Sequence, residues 1–317
     1  MPQNPEHADP ALRRRTLLKA TAALGPLAAG LAATTAHAGG HAAAQPNAIK
    51  HSFALGEFNV STLLAGTRTV ESPQNIFGMN VDAETFESVS SAHFLPVDAA
   101  QFFFTPTVVQ AGSDTVLFDT GLNADSITAP LAAAGIAPED VTIVVLTHMH
   151  GDHIGGLLTA DGSPTFPNAR YVTGQVEFDA WAQMGNERFD KLVRPLAENM
   201  TFLGAEDTVV SGITAHATFG HTPGHMAYRL ESGGEQLVLI ADAANHYLWS
   251  VGFPDWEVKF DRDKAAAAAT RKALFGMLAA EKIPFVGYHM PFPGIGYVEA
   301  RPDDRFHYTP VSYQLML

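Results

Sequence analysis

Val141-Thr142-Ile143-Val144-Val145-Leu146-Thr147-His148-Met149-His150-Gly151-Asp152-His153 joins an apolar run to a knot of imidazoles and one carboxylate. The apolar part, residues 141–146, reads as a β-strand buried on both faces. The part after it has the pattern His-x-His-x-Asp-His within six residues. Imidazole nitrogen and carboxylate oxygen are the donors that Zn²⁺ and similar borderline cations accept. The alternation lets His148 and His150 point one way while Asp152 and His153 reach another, enough for two metals. A polar turn that merely collects histidines is a poorer account of so dense a cluster. The stretch points to a metal-dependent enzyme.

Working outward, every further ligand candidate sits just past an apolar segment. His221 follows residues 208–218, inside Gly220-His221-Thr222-Pro223-Gly224-His225. Asp242 follows Leu237-Val238-Leu239-Ile240-Ala241, and His289 follows Phe285-Val286-Gly287-Tyr288. Strand ends gathered at one sheet edge are where a rigid scaffold presents a site. Five histidines and two aspartates result, the number two metals with a shared carboxylate require.

The chain has 317 residues, long enough for one large or two small domains, and is 46% hydrophobic with 16% charged residues. Its net charge of −14 argues against nucleic acid, which needs a basic surface, and against an anionic membrane face. A small neutral or apolar substrate suits it better. There are no cysteines, so disulfides, thiolate metal sites and cysteine nucleophiles are excluded.

At the N-terminus, Arg13-Arg14-Arg15-Thr16-Leu17-Leu18-Lys19 precedes an Ala-rich apolar stretch and then Ala36-His37-Ala38. Residues 1–38 read as a twin-arginine signal peptide cut at the Ala-x-Ala pattern, so a periplasmic or secreted location is expected. The apolar run contains Gly25, Pro26 and Gly30 and is too weak for a spanning helix, so no stable membrane anchor is expected. Residues 39–54 read as a flexible lead-in, and 55–317 as one catalytic domain.

From Phe58 the pattern is β, and residues 71–101 form a long mixed connection carrying a short helix. Residues 102–110 and 115–119 read as a hairpin, 126–135 as a helix, and 170–172 as a strand running into a helix over 175–184. Strands are expected at 208–218, 226–231 and 236–240, a helix at 263–280, and a closing strand pair near 297–300 and 306–310. The class is α/β, with helices outside two sheets.

His148, His150, Asp152, His153, His221, Asp242 and His289, in that order, resemble the metallo-β-lactamase superfamily over roughly residues 55–315. Asp119 in Phe118-Asp119-Thr120-Gly121 matches that superfamily's early Asp-Thr-Gly turn. The resemblance implies an αββα sandwich with His148, His150 and His221 on a first metal. It places Asp152, His153 and His289 on a second, with Asp242 bridging. Two divalent ions are implied, zinc first and Mn²⁺, Co²⁺ or Fe²⁺ after it. The implied chemistry is hydrolysis by a metal-bridging hydroxide, with Asp152 and Asp242 as the catalytic carboxylates. His225 is expected to be structural.

Within the superfamily, Trp256 to Asp263 and Tyr288-His289-Met290-Pro291-Phe292-Pro293-Gly294 resemble the methyl parathion hydrolase-like branch, near the quorum-quenching lactonases. Glyoxalase II and persulfide dioxygenase types stay open. Many lactonases place a tyrosine three residues after the bridging aspartate; here that position is Asn245, which could donate a similar hydrogen bond. Phe102, Phe104, Trp181, Asn245 and His246 are the expected pocket residues. The expected substrate is a small, largely apolar lactone or ester of N-acyl homoserine lactone or aryl ester type. Alternatives are a phosphotriester hydrolase and, from other classes, a mononuclear iron oxygenase or a non-catalytic binding module. A homodimer is compatible with the sequence.

Overall fold

The computed structural model describes residues 49–311; the expected signal peptide and most of the lead-in lie outside them. Strands β1 (Lys50–Leu55) and β2 (Phe58–Leu63) open the fold, followed by β3 (Gly66–Glu71) and helix α1 (Ala83–Ala92). Next come β4 (Ala99–Phe104), β5 (Thr107–Ala111), β6 (Asp114–Phe118), α2 (Ala124–Ala133), β7 (Ile143–Leu146) and the single turn α3 (Gly151–Ile154). Strand β8 (Arg170–Gly174), helices α4 (Gln175–Met184) and α5 (Glu187–Leu192), and β9 (Met200–Leu203) complete the first half.

The second half holds β10 (Thr208–Val210), β11 (Ile213–Ala217), β12 (Met226–Ser232) and β13 (Glu235–Ala241). A π-helical turn at Tyr247–Gly252 and helix α6 (Lys264–Glu281) follow. Strands β14 (Phe285–Gly287), β15 (Ile295–Arg301) and β16 (Arg305–Pro310) close the chain.

Two seven-stranded sheets form, in the orders β1-β2-β5-β6-β7-β8-β9 and β10-β11-β12-β13-β14-β15-β16, with β3 and β4 as a separate pair. Pairing in β6-β7-β8-β9 is parallel, as is β13 with β14. Period-two alternation decides which layer each residue joins. Val116, Phe118, Ile143 and Val145 pack between the sheets against Tyr228, Leu237 and Leu239. Their neighbours Leu117, Val144 and Leu146 face α2, α4 and α5 through Leu131, Trp181 and Phe189. On the other side, Val238, Ile240 and Phe285 pack on Leu274, Phe275 and Leu278 of α6. This is the αββα sandwich.

Three expectations change. The lead-in of 39–54 is too long, because Lys50 already starts β1, paired from Lys50↔Leu63 to Leu55↔Phe58. The Phe run does not continue into one strand: Pro106, which has no N–H to give a ladder, separates β4 from β5. Strand β4 instead pairs with β3, Gly66↔Phe104 to Glu71↔Ala99, and forms a flap over an aromatic cluster that includes Phe77, Phe86 and Trp249. Residues 208–218 form two strands, folding back at Gly212, whose φ of 81° suits glycine alone. Among the described residues no helix is long and apolar enough to cross a membrane.

Candidate metal centre

Strand β7 is buried along its whole length, so its end is a rigid launch point for the loop Thr147-His148-Met149-His150. Asp152 and His153 follow on α3, His221 lies between β11 and β12, Asp242 follows β13, and His289 follows β14. The fold brings all seven together. His148, His150, His221 and Asp242 form one group of converging ligand atoms, and Asp152, His153 and His289 form another, each within 4.8 Å. Asp242 touches both groups: its Oδ2 lies 3.3 Å from His221 Nε2 and 3.2 Å from His289 Nε2. Its Oδ1 lies 3.2 Å from His153 Nε2. Ala241, at φ 44°, sits in the left-handed region just before it, a strained backbone that aims the carboxylate.

The outer partners settle the tautomers. Thr147 Oγ1 donates to Asp119 Oδ2 at 2.9 Å, so it accepts from His148 Nδ1 at 3.1 Å. His153 Nδ1 donates to Asp119 Oδ2 at 2.8 Å, His221 Nδ1 to Asp261 Oδ1 at 2.9 Å, and His289 Nδ1 to the Phe103 carbonyl at 2.8 Å. Each of these four rings therefore turns an Nε2 lone pair inward. His150 Nδ1 faces the Nε2 atoms of His148 and His221 at 3.0 and 2.9 Å. One nitrogen with at most one proton cannot satisfy both. His153 Nε2 and Asp242 Oδ1, 3.2 Å apart, are buried and make no hydrogen bond among the described residues. Lone pairs converging with no donor between them fit divalent cations.

Electrostatics agree. Burial, with His153 nearby, holds His148 well below the usual histidine range, and burial with His221 takes His150 down to about 3. Burial opposes the charged form of His153 and His221 too. Even so, Asp242, Asp119 and Asp152 raise His153 well above its usual value, and Asp242 and Asp261 take His221 up to about 9. Burial would raise Asp242, yet His289 and His153 hold it well below the usual carboxylate range. The site calls for positive charge, which a cation would supply in place of protons.

Several supports had no sequence signal tying them to the site. Glu177 on α4 is fully buried. It accepts from Met149 N at 3.0 Å, Thr222 Oγ1 at 2.7 Å and Gly224 N at 2.9 Å, pinning the β7 and β11 loops together. Burial pushes its carboxyl above the usual range despite those bonds. Tyr288 stacks on His153 at 3.9 Å and donates to the Asp152 carbonyl at 2.6 Å. His225 accepts from Asp242 N at 3.1 Å, the structural role expected of it.

A cleft of about 690 Å³ opens beside His150, Asp152, Asp242 and His289, with Phe102 and Phe104 in its wall. A larger hollow, about 880 Å³, runs along residues 53–55, 234–237 and 281–284, and none of the seven candidate ligands lines it. Three expected pocket residues are elsewhere. Trp181 is buried behind His150, ring edge to ring at 5.6 Å. Asn245 is buried and donates to Asp242 Oδ2 at 2.9 Å, so its amide supports the carboxylate rather than a substrate. His246 is stacked on Trp249 at 4.0 Å, and its Nδ1 accepts from Leu248 N and Trp249 N, capping the π-helical turn.

That role has a pH consequence. Burial takes His246 down to about 3 from 6.5, and a neutral Nδ1 is what the cap requires. Above pH 6.5 folded and unfolded states are both neutral there. As pH falls toward 3 the unfolded chain gains the proton first, so stability is lost at up to about 1.4 kcal/mol per pH unit. His246→Asn keeps a capping oxygen and should flatten that slope between pH 6.5 and 4, read from urea midpoints. Equal slopes in both proteins would refute the assignment.

The metallo-beta-lactamase superfamily matches residues 105–311. This chain belongs to that superfamily. Among its metallo-beta-lactamase superfamily relatives, an N-acyl homoserine lactonase of Bacillus cereus is 30% identical over 166 residues, 52% of this chain and 62% of the relative. The match thus spans less than two thirds of that relative. An anti-Pycsar protein, Apyc1, of Paenibacillus is 43% identical over 61 residues, 19% of this chain and 23% of the relative. The structure of AidC, a dizinc quorum-quenching lactonase in complex with a product, superposes with a TM-score of 0.77 at 24% identity, covering 84% of this chain and 99% of that one. The homologues are metal-dependent hydrolases of this superfamily.

Proposed function

We propose that this chain is a dinuclear metal-dependent hydrolase that opens the lactone or ester bond of a small, largely apolar substrate. One observation carries the reading: seven candidate ligand side chains converge as two groups joined at Asp242, and four of them, His150, Asp152, Asp242 and His289, line a cleft walled by Phe102 and Phe104. The lactonase relatives support the same class. His148, His150 and His221 would hold one cation and Asp152, His153 and His289 the other, with Asp242 between them. When bound, the two cations supply Lewis acidity and an activated water; nitrogen and oxygen donors without thiolate suit zinc.

The chain's own groups do the rest. Asp152 keeps its side chain one quarter exposed and lines the cleft. It is placed to take a proton from the attacking water and return it to the leaving alcohol oxygen. Phe102 and Phe104 pack edge-on to His289, at 5.3 and 5.5 Å, and keep water from the acyl or aryl group above it. We further propose export through the twin-arginine segment.

Dialysis against a strong chelator should abolish hydrolysis of an aryl ester or N-acyl homoserine lactone, and about two equivalents of Zn²⁺ should restore it. One iron per chain with oxygen consumption would sink the proposal, and so would no hydrolysis across lactones, aryl esters and phosphotriesters.

A further inference from the structure

We propose that Arg68, Arg188 and Lys259 form an anion-binding rim on the cleft, and that the substrate carries a carboxylate or like anionic group away from its scissile bond. The inference rests on the hydrolase reading above and narrows its substrate class. The three cations come from β3, α5 and the segment before α6, and all line the same cleft as the ligand cluster. Apart from the ligand carboxylates Asp152 and Asp242, no acidic side chain among the described residues lines it.

In a chain of net charge −14 such a grouping runs against the overall balance. Some arginines and lysines pair with carboxylates, as Arg194 does with Asp190, Arg229 with Glu281 and Lys272 with Asp255, and others, such as Lys191 and Lys282, form no ion pair among the described residues but line no part of this cleft. Arg68, Arg188 and Lys259 form no ion pair among the described residues. Arg188 is also held in place. Its Nη2 donates to the Leu122 carbonyl at 3.1 Å, and its guanidinium lies so close over Gly151 that a Cβ there would meet Nη1 at 2.7 Å. Glycine at 151 thus admits the guanidinium next to Asp152. Nη1 and Nε make no hydrogen bond among the described residues, which leaves charged N–H donors for an anion.

The lining also carries Val70, Ile76, Leu122 and Phe260 beside Phe102 and Phe104, an apolar surface for the rest of the substrate. A scissile carbonyl at the ligand cluster, an apolar chain on that surface and an anion at the three cations would together use the whole lining. The rim also draws anions toward an otherwise repelling surface, an effect that salt screens.

The test uses the metal-loaded protein and nitrophenyl monoesters of succinic, adipic and suberic acids against the neutral monoacid esters of equal length. At least one acid ester should show a KM about tenfold below its neutral partner, an advantage lost near 0.5 M salt. The paired substitutions Arg68→Gln and Lys259→Gln, at exposed positions without side-chain bonds in the described structure, should raise KM for the acid ester several-fold more than for the neutral one. Arg188→Gln should do the same, with metal content checked in every variant. Neutral esters cleaved as well as or better than all acid esters would overturn the rim and leave the hydrolase reading standing. If no ester is cleaved, and lactones and phosphotriesters are left intact as well, the hydrolase reading fails. The rim is then judged by calorimetric binding of suberate, expected in wild type and lost in the double variant; equal binding in both would overturn it.

Discussion

Asp242→Ala should cut bound metal from about two equivalents to one or fewer, and turnover by more than about 10³-fold. The carboxylate lies within 3.8 Å of Nε2 on His148, His153, His221 and His289, so both groups lose their common anion at once. Partners outside a metal's own ligands already cost about 10–100-fold in affinity or activity when removed, and a shared ligand should exceed that. His225 and Asn245 show how much of the fold is committed to it: one accepts its backbone N–H, the other donates to its Oδ2. Metal content by mass spectrometry and ester hydrolysis measure the two effects separately. Two metals retained at wild-type affinity would overturn the ligand assignment.

Asp261→Ala should be the most destabilising change near the site, by about 3–5 kcal/mol, which lowers Tm by roughly 6–20 °C. Asp261 is fully buried between His221 Nδ1, at 2.9 Å, and Arg271 Nη1, at 2.8 Å. Arg271 is itself fully buried on α6, its other nitrogens spent on the Pro254 and Trp256 carbonyls. Losing the carboxylate strands that charge in the interior. The same change frees the His221 ring, so metal affinity should fall about 10–100-fold. Asp261→Ala with Arg271→Met separates the effects: thermal unfolding should recover in part, because the stranded charge is gone, while metal affinity stays low. Full recovery of metal affinity in the double variant would show that Asp261 does not orient His221.

The metal cluster was legible because its members are local in sequence or stand at the ends of apolar strands, and strand ends meet at a sheet edge. Helix α4 was legible for a similar reason, a turn-bounded run directly after a strand. The roles of Glu177 and Asp261 were not: these side chains reach partners 28 to 47 residues away, and the stretch Trp256 to Asp263 that holds Asp261 suggested a branch of the family but no contact. The expected pocket failed where nearness in sequence stood in for direction. Asn245 and His246 do follow Asp242 closely, yet the chain turns them under the β3–β4 flap, against the carboxylate and Trp249. Trp181 faces the core because α4 packs on the first sheet.

By itself the sequence determined the α/β alternation, the layer each strand residue joins, and the seven ligand candidates at strand ends. Periodicity and spacing are local properties, and local forces obey them. The family resemblance already implied two groups of ligands around Asp242; only the tertiary structure decided that Glu177 and Asp261 hold them, and that Arg68, Arg188 and Lys259 share one cleft. Those juxtapositions depend on which strand lies beside which, and on where each loop then points its side chains.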